Sequence, residues 1–204
     1  MLQHLITQDD DLRMIPTDRN QLSAAVQGLR EELRSLLAGA DPGQERVLAR
    51  WVGIGLVTLG APHEAQPFLH QALALAEGSG NPGAVIATRL NLADAHRYSG
   101  DTATADTLYR SALDGARSDR TDLIDFALQH LGKHLMEQGD LVSAGACLRE
   151  AHQLRLAKGD TGLIESTQAA IDRVEVLTRQ AAAPDHTQAA QPTRATALLP
   201  PAPN

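Results

Sequence analysis

Two histidines in "HLGKH" (130–134) are residues whose type and spacing could do chemistry. On a helix, His130 and His134 would share one face and could chelate a metal, with Glu137 one turn further on. A zinc-protease arrangement needs Glu directly after the first histidine, and Leu131 stands there. No third ligand is fixed by spacing. His130 and His134 are therefore weak metal candidates, and no metal or cofactor is expected. The single cysteine, Cys147, excludes an intrachain disulfide and reads as a small buried apolar residue. No Gly-rich phosphate loop, G-x-S-x-G or paired-carboxylate signature occurs, so no catalytic residue is expected and the chain does not read as an enzyme.

Binding chemistry is better supplied. Arg50, Arg97 and Lys133 could meet acidic groups, Asp94 and Glu137 basic ones, and Asn91 and Gln129 offer amides that both donate and accept. Trp51 and Tyr98 add two of the few aromatic rings. The elements that must position these side chains emerge from a repeat. "TLGAPHEAQPFLHQAL" (58–73), "YSGDTATADTLYRSAL" (98–113) and "EQGDLVSAGACLREAH" (137–152) align on Gly60, Gly100 and Gly139, which are 40 and 39 residues apart. Ala65, Ala105 and Ala144 follow each glycine by five, Leu69, Tyr109 and Leu148 by nine, and Ala72, Ala112 and Ala151 by twelve. Eight before each stand Val52, Leu92 and Leu131, and seven before stand Gly53, Ala93 and Gly132. A glycine turn between two helices explains the first column. Small residues on both sides would let the two helices approach closely, and stacking would bury the face each hairpin leaves open.

This order resembles the tetratricopeptide repeat, with "LNLADAHRYSGDTATADTLYRSAL" (90–113) the best match, over roughly residues 46–180. The period of 39–40 exceeds the usual value of about 34 and is similar to the repeats of kinesin light chains, G-protein-signalling modulators and bacterial Rap-type regulators. The early aromatic of the first helix is largely absent. The resemblance implies an all-α, right-handed α-solenoid of antiparallel helix hairpins with N- and C-terminal cap helices. Three repeats are expected at 45–83, 84–120 and 121–160, between a cap helix and turn at 20–44 and a cap helix at 161–180. The N-terminal cap rests on a stripe of Leu22, Ala25, Val26, Leu29, Leu33, Leu36 and Leu37. Residues 1–19 are acidic, poorly patterned and expected to be flexible, and Met14 is an alternative start. Residues 181–204, rich in Ala and Pro, are expected to be disordered.

The resemblance also implies that the first helix of each repeat lines a concave groove that takes a protein or peptide segment. Carried over by column, the groove holds Arg50, Trp51, Ile54, Val57 and Thr58, then Leu90, Asn91, Asp94, Arg97 and Tyr98, then Gln129, His130, Lys133, Met136 and Glu137. Asn91 stands where many family members hold a ligand's backbone. Ile54 stands where the carboxylate clamp of chaperone cofactors would want asparagine. Trp51 suits either an anchor in the groove or packing against helix 20–38.

A non-catalytic protein-interaction scaffold is the leading expectation, with a regulatory sensor of a signalling peptide or small ligand as the alternative, and a metal-dependent enzyme behind both. Net charge is −7 and aromatics make up 2%, which excludes a typical nucleic-acid binder. No apolar run reaches the length of a membrane span and the N-terminus does not read as a secretory signal, so a cytoplasmic protein is expected. Leu163, Ile164, Ile171, Val174, Val176 and Leu177 exceed one buried stripe, so a homodimer through the last helix is a further option.

Overall fold

Acidic and amide side chains set where most helices begin. Asp18 caps α1 (Arg19–Ser35), Asp41 caps α2 (Pro42–Thr58) and Asn81 caps α4 (Pro82–Ser99), each accepting from amides of the first turn. Asp101 does so for α5 (Thr102–Asp119) and Asp140 for α7 (Leu141–Lys158). Proline supplies the first turn of α2, α3 (Pro62–Gly78) and α4, where a missing N–H costs nothing. A 3-10 turn, Thr121–Leu123, leads into α6 (Ile124–Glu137), and α8 (Thr161–Ala182) ends the helical part. The computed structural model describes residues 1–36 and 41–182. Leu37, the start of the expected break at 38–44 and the tail from 183 onward lie outside the described residues.

Gly100 closes α4 in the left-handed region, at φ +86°, and Asp101 N–H donates back to His96 O at 2.9 Å. Gly60 and Gly139 turn in the same way at +81° and +79°. The small residues before these turns have a steric cause. A Cβ on Gly53 would lie 2.4 Å from Leu69 Cγ, and one on Gly132 would lie 2.8 Å from Leu148 Cγ. Each leucine of the second helix thus sits in a hole that only a missing side chain provides. Leu69, Tyr109 and Leu148, with the alanines of the neighbouring columns, have no exposed surface.

The pairs α2–α3, α4–α5 and α6–α7 stack in sequence order, each second helix packing on the next first helix. This is a tetratricopeptide-like α-solenoid, with α1 against α2 and α8 against α7. Its last helix is pinned by charge as well as by apolar contact. Asp125, 0% exposed at the start of α6, accepts from Arg155 Nε of α7 at 2.9 Å and from Lys158 Nζ. Arg155 Nη1 also donates to Thr167 Oγ1 of α8 at 2.6 Å. Ile171 and Val174 are buried, and Leu163, Ile164, Val176 and Leu177 are half-buried, so the chain itself partly covers all six apolar positions of α8.

The first nineteen residues depart from the expectation of a flexible segment. After a 3-10 turn at Gln3–Leu5, β1 (Ile6–Gln8) and β2 (Met14–Pro16) pair antiparallel, with Thr7 opposite Ile15. Leu2 and Leu5 are buried with Leu22, Val26, Val52 and Leu56, while Leu12 joins the cluster of Leu90, Leu131 and Leu135. Leu2, Leu5 and Leu12 are spaced by three and seven, steps of one helical face, yet β1 and a turn separate Leu5 from Leu12. Their burial comes from the solenoid beneath them, which local pattern cannot reveal. All three precede Met14.

Candidate functional site

The face shared by α2, α4 and α6 carries the residues assigned to a groove, and it is divided in three. At its centre lies a buried ionic network. Asp94 of α4 is 1% exposed and accepts the Tyr109 hydroxyl of α5 at 2.5 Å. His130 Nδ1 of α6 lies 3.1 Å from the same carboxylate, and Arg97 Nη2 lies 3.4 Å from it. Burial opposes the Asp94 charge, but His130, Arg97 and Tyr109 outweigh it and hold the carboxyl well below the usual range. Arg97 is equally enclosed. Burial disfavours its charge too, yet the tyrosines, Asp94 and Glu137 keep it firmly protonated. Burial pushes the Tyr109 hydroxyl up, which keeps it a donor.

Beside this network Lys133 is only 7% exposed and makes no ion pair among the described residues. Burial, with Arg97 nearby, pushes its ammonium down to about 8. Gln129, one turn earlier on α6, is also buried, and neither polar atom of its amide finds a protein partner.

At the glycine-turn end the face is covered by the N-terminal hairpin. Arg13 Nη2 donates to Glu137 Oε2 at 2.8 Å and Arg13 Nε to Oε1 at 3.0 Å. Arg97 approaches the same carboxylate at 3.7 Å. Met14 N–H donates to the Tyr98 hydroxyl at 2.5 Å, and the guanidinium groups of Arg13 and Arg97 lie 5.1 and 5.0 Å from the Tyr98 ring. Burial pushes that hydroxyl up to about 12, against the pull of Arg97. Asp11, at the hairpin tip, meets Arg173 of α8 at 2.6 Å.

The opposite end of the face is open. A cavity of about 220 Å³ is walled by Ile86, Ala87, Leu90, Leu123 and Phe126, with Arg50, Asn91 and His130 as its polar lining. Arg50 Nε donates to Asn91 Oδ1 at 2.6 Å. Burial and then Arg46 lower the Arg50 pKa, and no carboxylate among the described residues pairs with it. The cavity is therefore mainly apolar with a cation in its lining.

Of the groove residues read from sequence, Asp94, Arg97, Tyr98, His130 and Glu137 meet in one connected set that faces the chain's own groups. Arg50 and Asn91 form a second set at the open cavity. Trp51 packs, half-buried, on the cluster that contains Leu22 and Val26 of α1. His130 and His134 do not converge on a metal. His134 is buried against the Tyr109 ring, 5.2 Å between centroids, with its basicity lowered by burial, while His130 turns to Asp94. No group of three His, Cys, Asp or Glu residues that could hold a metal occurs among the described residues. Cys147 is half-buried beside the core, and burial raises its thiol pKa. Sequence reasoning missed Arg13, Leu12 and Phe126. The third stands one turn before the counted columns, and the first two lie in the poorly patterned segment 1–19.

A family model described as the tetratricopeptide repeat matches residues 46–118. Among solved structures, a variant of a Podosopora anserina protein described as a kinesin light chain with nearly identical TPR-like repeats is 16% identical. That likeness covers 79% of this chain and 80% of the other, at a TM-score of 0.59. BtubC (BKLC) from P. vanneervenii is 18% identical over 89% of this chain and 81% of its own, at a TM-score of 0.56. No curated protein matches the chain. No helix among the described residues is long and apolar enough to cross a membrane.

Proposed function

From the premise that this is a chain of tetratricopeptide repeats, which mediate protein–protein interaction, we propose that it is a non-catalytic scaffold whose open cavity takes a partner's peptide segment. One observation carries the reading: an apolar cavity lined by Leu90 and Phe126 has Arg50 in its wall with no carboxylate paired to it among the described residues. A cation held near a second arginine and away from water is stabilised by an incoming anion. An apolar side chain could enter the cavity. The segment is therefore one in which a large apolar residue adjoins a carboxylate, either an acidic side chain or a chain end. Asn91 accepts from Arg50 through Oδ1, which leaves its NH₂ to donate to the segment's backbone.

The test uses two single variants of the full chain. Ala87→Glu fills the cavity and offers Arg50 an internal carboxylate, and Arg50→Glu removes the cation. With helicity unchanged, both should lose a partner that the wild-type protein captures from its native lysate. Retention of that partner by both variants would place the binding surface elsewhere.

A further inference from the structure

We infer that the glycine-turn end of the same face is a second docking site, for a segment presenting aspartate, leucine and arginine in succession, and that Asp11-Leu12-Arg13 of this chain is its resident occupant. The inference stands apart from the open cavity and holds whether or not a partner enters there.

The site consists of three receptors built from α6 and α8. Glu137 of α6 takes the arginine through both nitrogens that face it, at 2.8 and 3.0 Å. Arg173 of α8 takes the aspartate at 2.6 Å. Between them Leu12 enters the cluster of Leu131, Leu135 and Ile171 and is 8% exposed. The Tyr98 hydroxyl adds a main-chain contact by accepting from Met14 N–H. A planar two-pronged pair discriminates arginine from lysine, and the opposite charges on Glu137 and Arg173 fix the direction in which a segment lies.

The occupant is tied differently at its two ends. Its root is fixed by Leu2 and Leu5, which are buried between α1 and α2. Its tip is held by one buried side chain, Leu12, and by two ion pairs that water could replace: the Arg13 side chain is 41% exposed and that of Asp11 66%. Two strands of three residues do not hold themselves together. Leu12 is moreover the one non-glycine residue with positive φ among the described residues, at +62°, a conformation that leucine adopts only where its surroundings impose it. The tip is thus a ligand on a tether. A partner segment with the same three side chains, unstrained, would compete for Glu137 and Arg173 while the root stays in place.

The experiment presents the hairpin sequence "ITQDDDLRMIP" (6–16) as a fluorescent peptide to the full chain and reads anisotropy. A double variant, Leu12→Asp with Arg13→Glu, frees the tip. It should bind the peptide at least tenfold more tightly than wild type, and adding Glu137→Arg should abolish that binding. Equal affinity for wild type and tip variant, or binding that survives Glu137→Arg, overturns the inference. Should the tip variant lose helicity, amide exchange on the wild-type chain decides. Amides of residues 11–14 exchanging at least a hundredfold faster than those of α4, and faster still in high salt, support a removable tip. Exchange of both only together shows that the tip is part of the core and overturns it.

Discussion

Arg13 and Glu137 are 124 residues apart in sequence and form a two-pronged ion pair at 2.8 and 3.0 Å. Glu137 also faces Arg97 at 3.7 Å, so one carboxylate serves a half-exposed arginine and a buried one. The two partners should respond differently to its loss. Arg13 can turn to water, whereas Arg97 cannot. Glu137→Gln should therefore lower stability by about 1–2 kcal/mol, and Arg13→Ala by less than about 1 kcal/mol. Urea unfolding of both variants measures this, and the reverse ranking would contradict it.

Asp94→Asn should be the more damaging change. The substitution removes the charge that faces Arg97 and His130 and turns one of the two acceptor oxygens into a donor, at a cost of about 3–5 kcal/mol. The same carboxylate sets an acid limit. Its folded pKa is depressed, so its contribution is complete above the unfolded value near 3.9 and is lost as pH falls through the folded one. Wild type should lose stability steeply below about pH 4, and Asp94→Asn should show a shallower decline in the same urea titration.

Lys133 acts with the opposite sign. Its folded pKa is pushed down to about 8 by burial and by Arg97, against Asp94 and Glu137. Between there and the unfolded value near 10.4 the unfolded chain binds more protons, so stability rises with pH. Below that window the buried charge costs at most about 3 kcal/mol. Lys133→Met should be more stable than wild type at pH 7, and the difference should shrink as pH rises from 8 to 10. A difference in melting temperature that stays constant over that range would count against a lysine charged at the cost of the fold.

Gly53→Ala tests the hole that receives Leu69. Alanine favours a helix over glycine by about 1 kcal/mol, but its Cβ would sit 2.4 Å from Leu69 Cγ. Overpacking typically costs about 1–3 kcal/mol, so the net effect should be a loss, partly recovered by adding Leu69→Val. A stabilised Gly53→Ala protein would mean that the two helices separate freely.

The solenoid was legible in sequence because its information is periodic. Gly60, Gly100 and Gly139 mark turns, and the pairing of Gly53 with Leu69 is written as a small residue and a large one at fixed offsets. The face shared by α2, α4 and α6 was legible only as columns. Position told that Asp94, Arg97 and Glu137 share a face, but not that Tyr109 and Arg13 satisfy them, since those partners come from another helix and from the N-terminus. The hairpin was illegible for the same reason. The spacing of Leu2, Leu5 and Leu12 by three and seven suits a helix rather than a hairpin, and each is buried by a surface that the rest of the chain must first build. Phe126 was missed because the cavity it lines extends one turn beyond the counted positions.

A partner segment in the cavity walled by Ile86, Leu90 and Phe126 would lay its carboxylate on Arg50. A photoactivatable leucine analogue at Leu123, which lines that cavity and keeps the native size, tests this, with the same group at Val142, exposed on α7, for comparison. Irradiation with the captured partner present should yield an adduct from position 123 and none from 142. Arg50→Glu should remove the adduct, whose mapped site should lie beside an acidic side chain or a chain end. An adduct from position 142 alone, or one from 123 indifferent to Arg50→Glu, would show that the segment binds elsewhere.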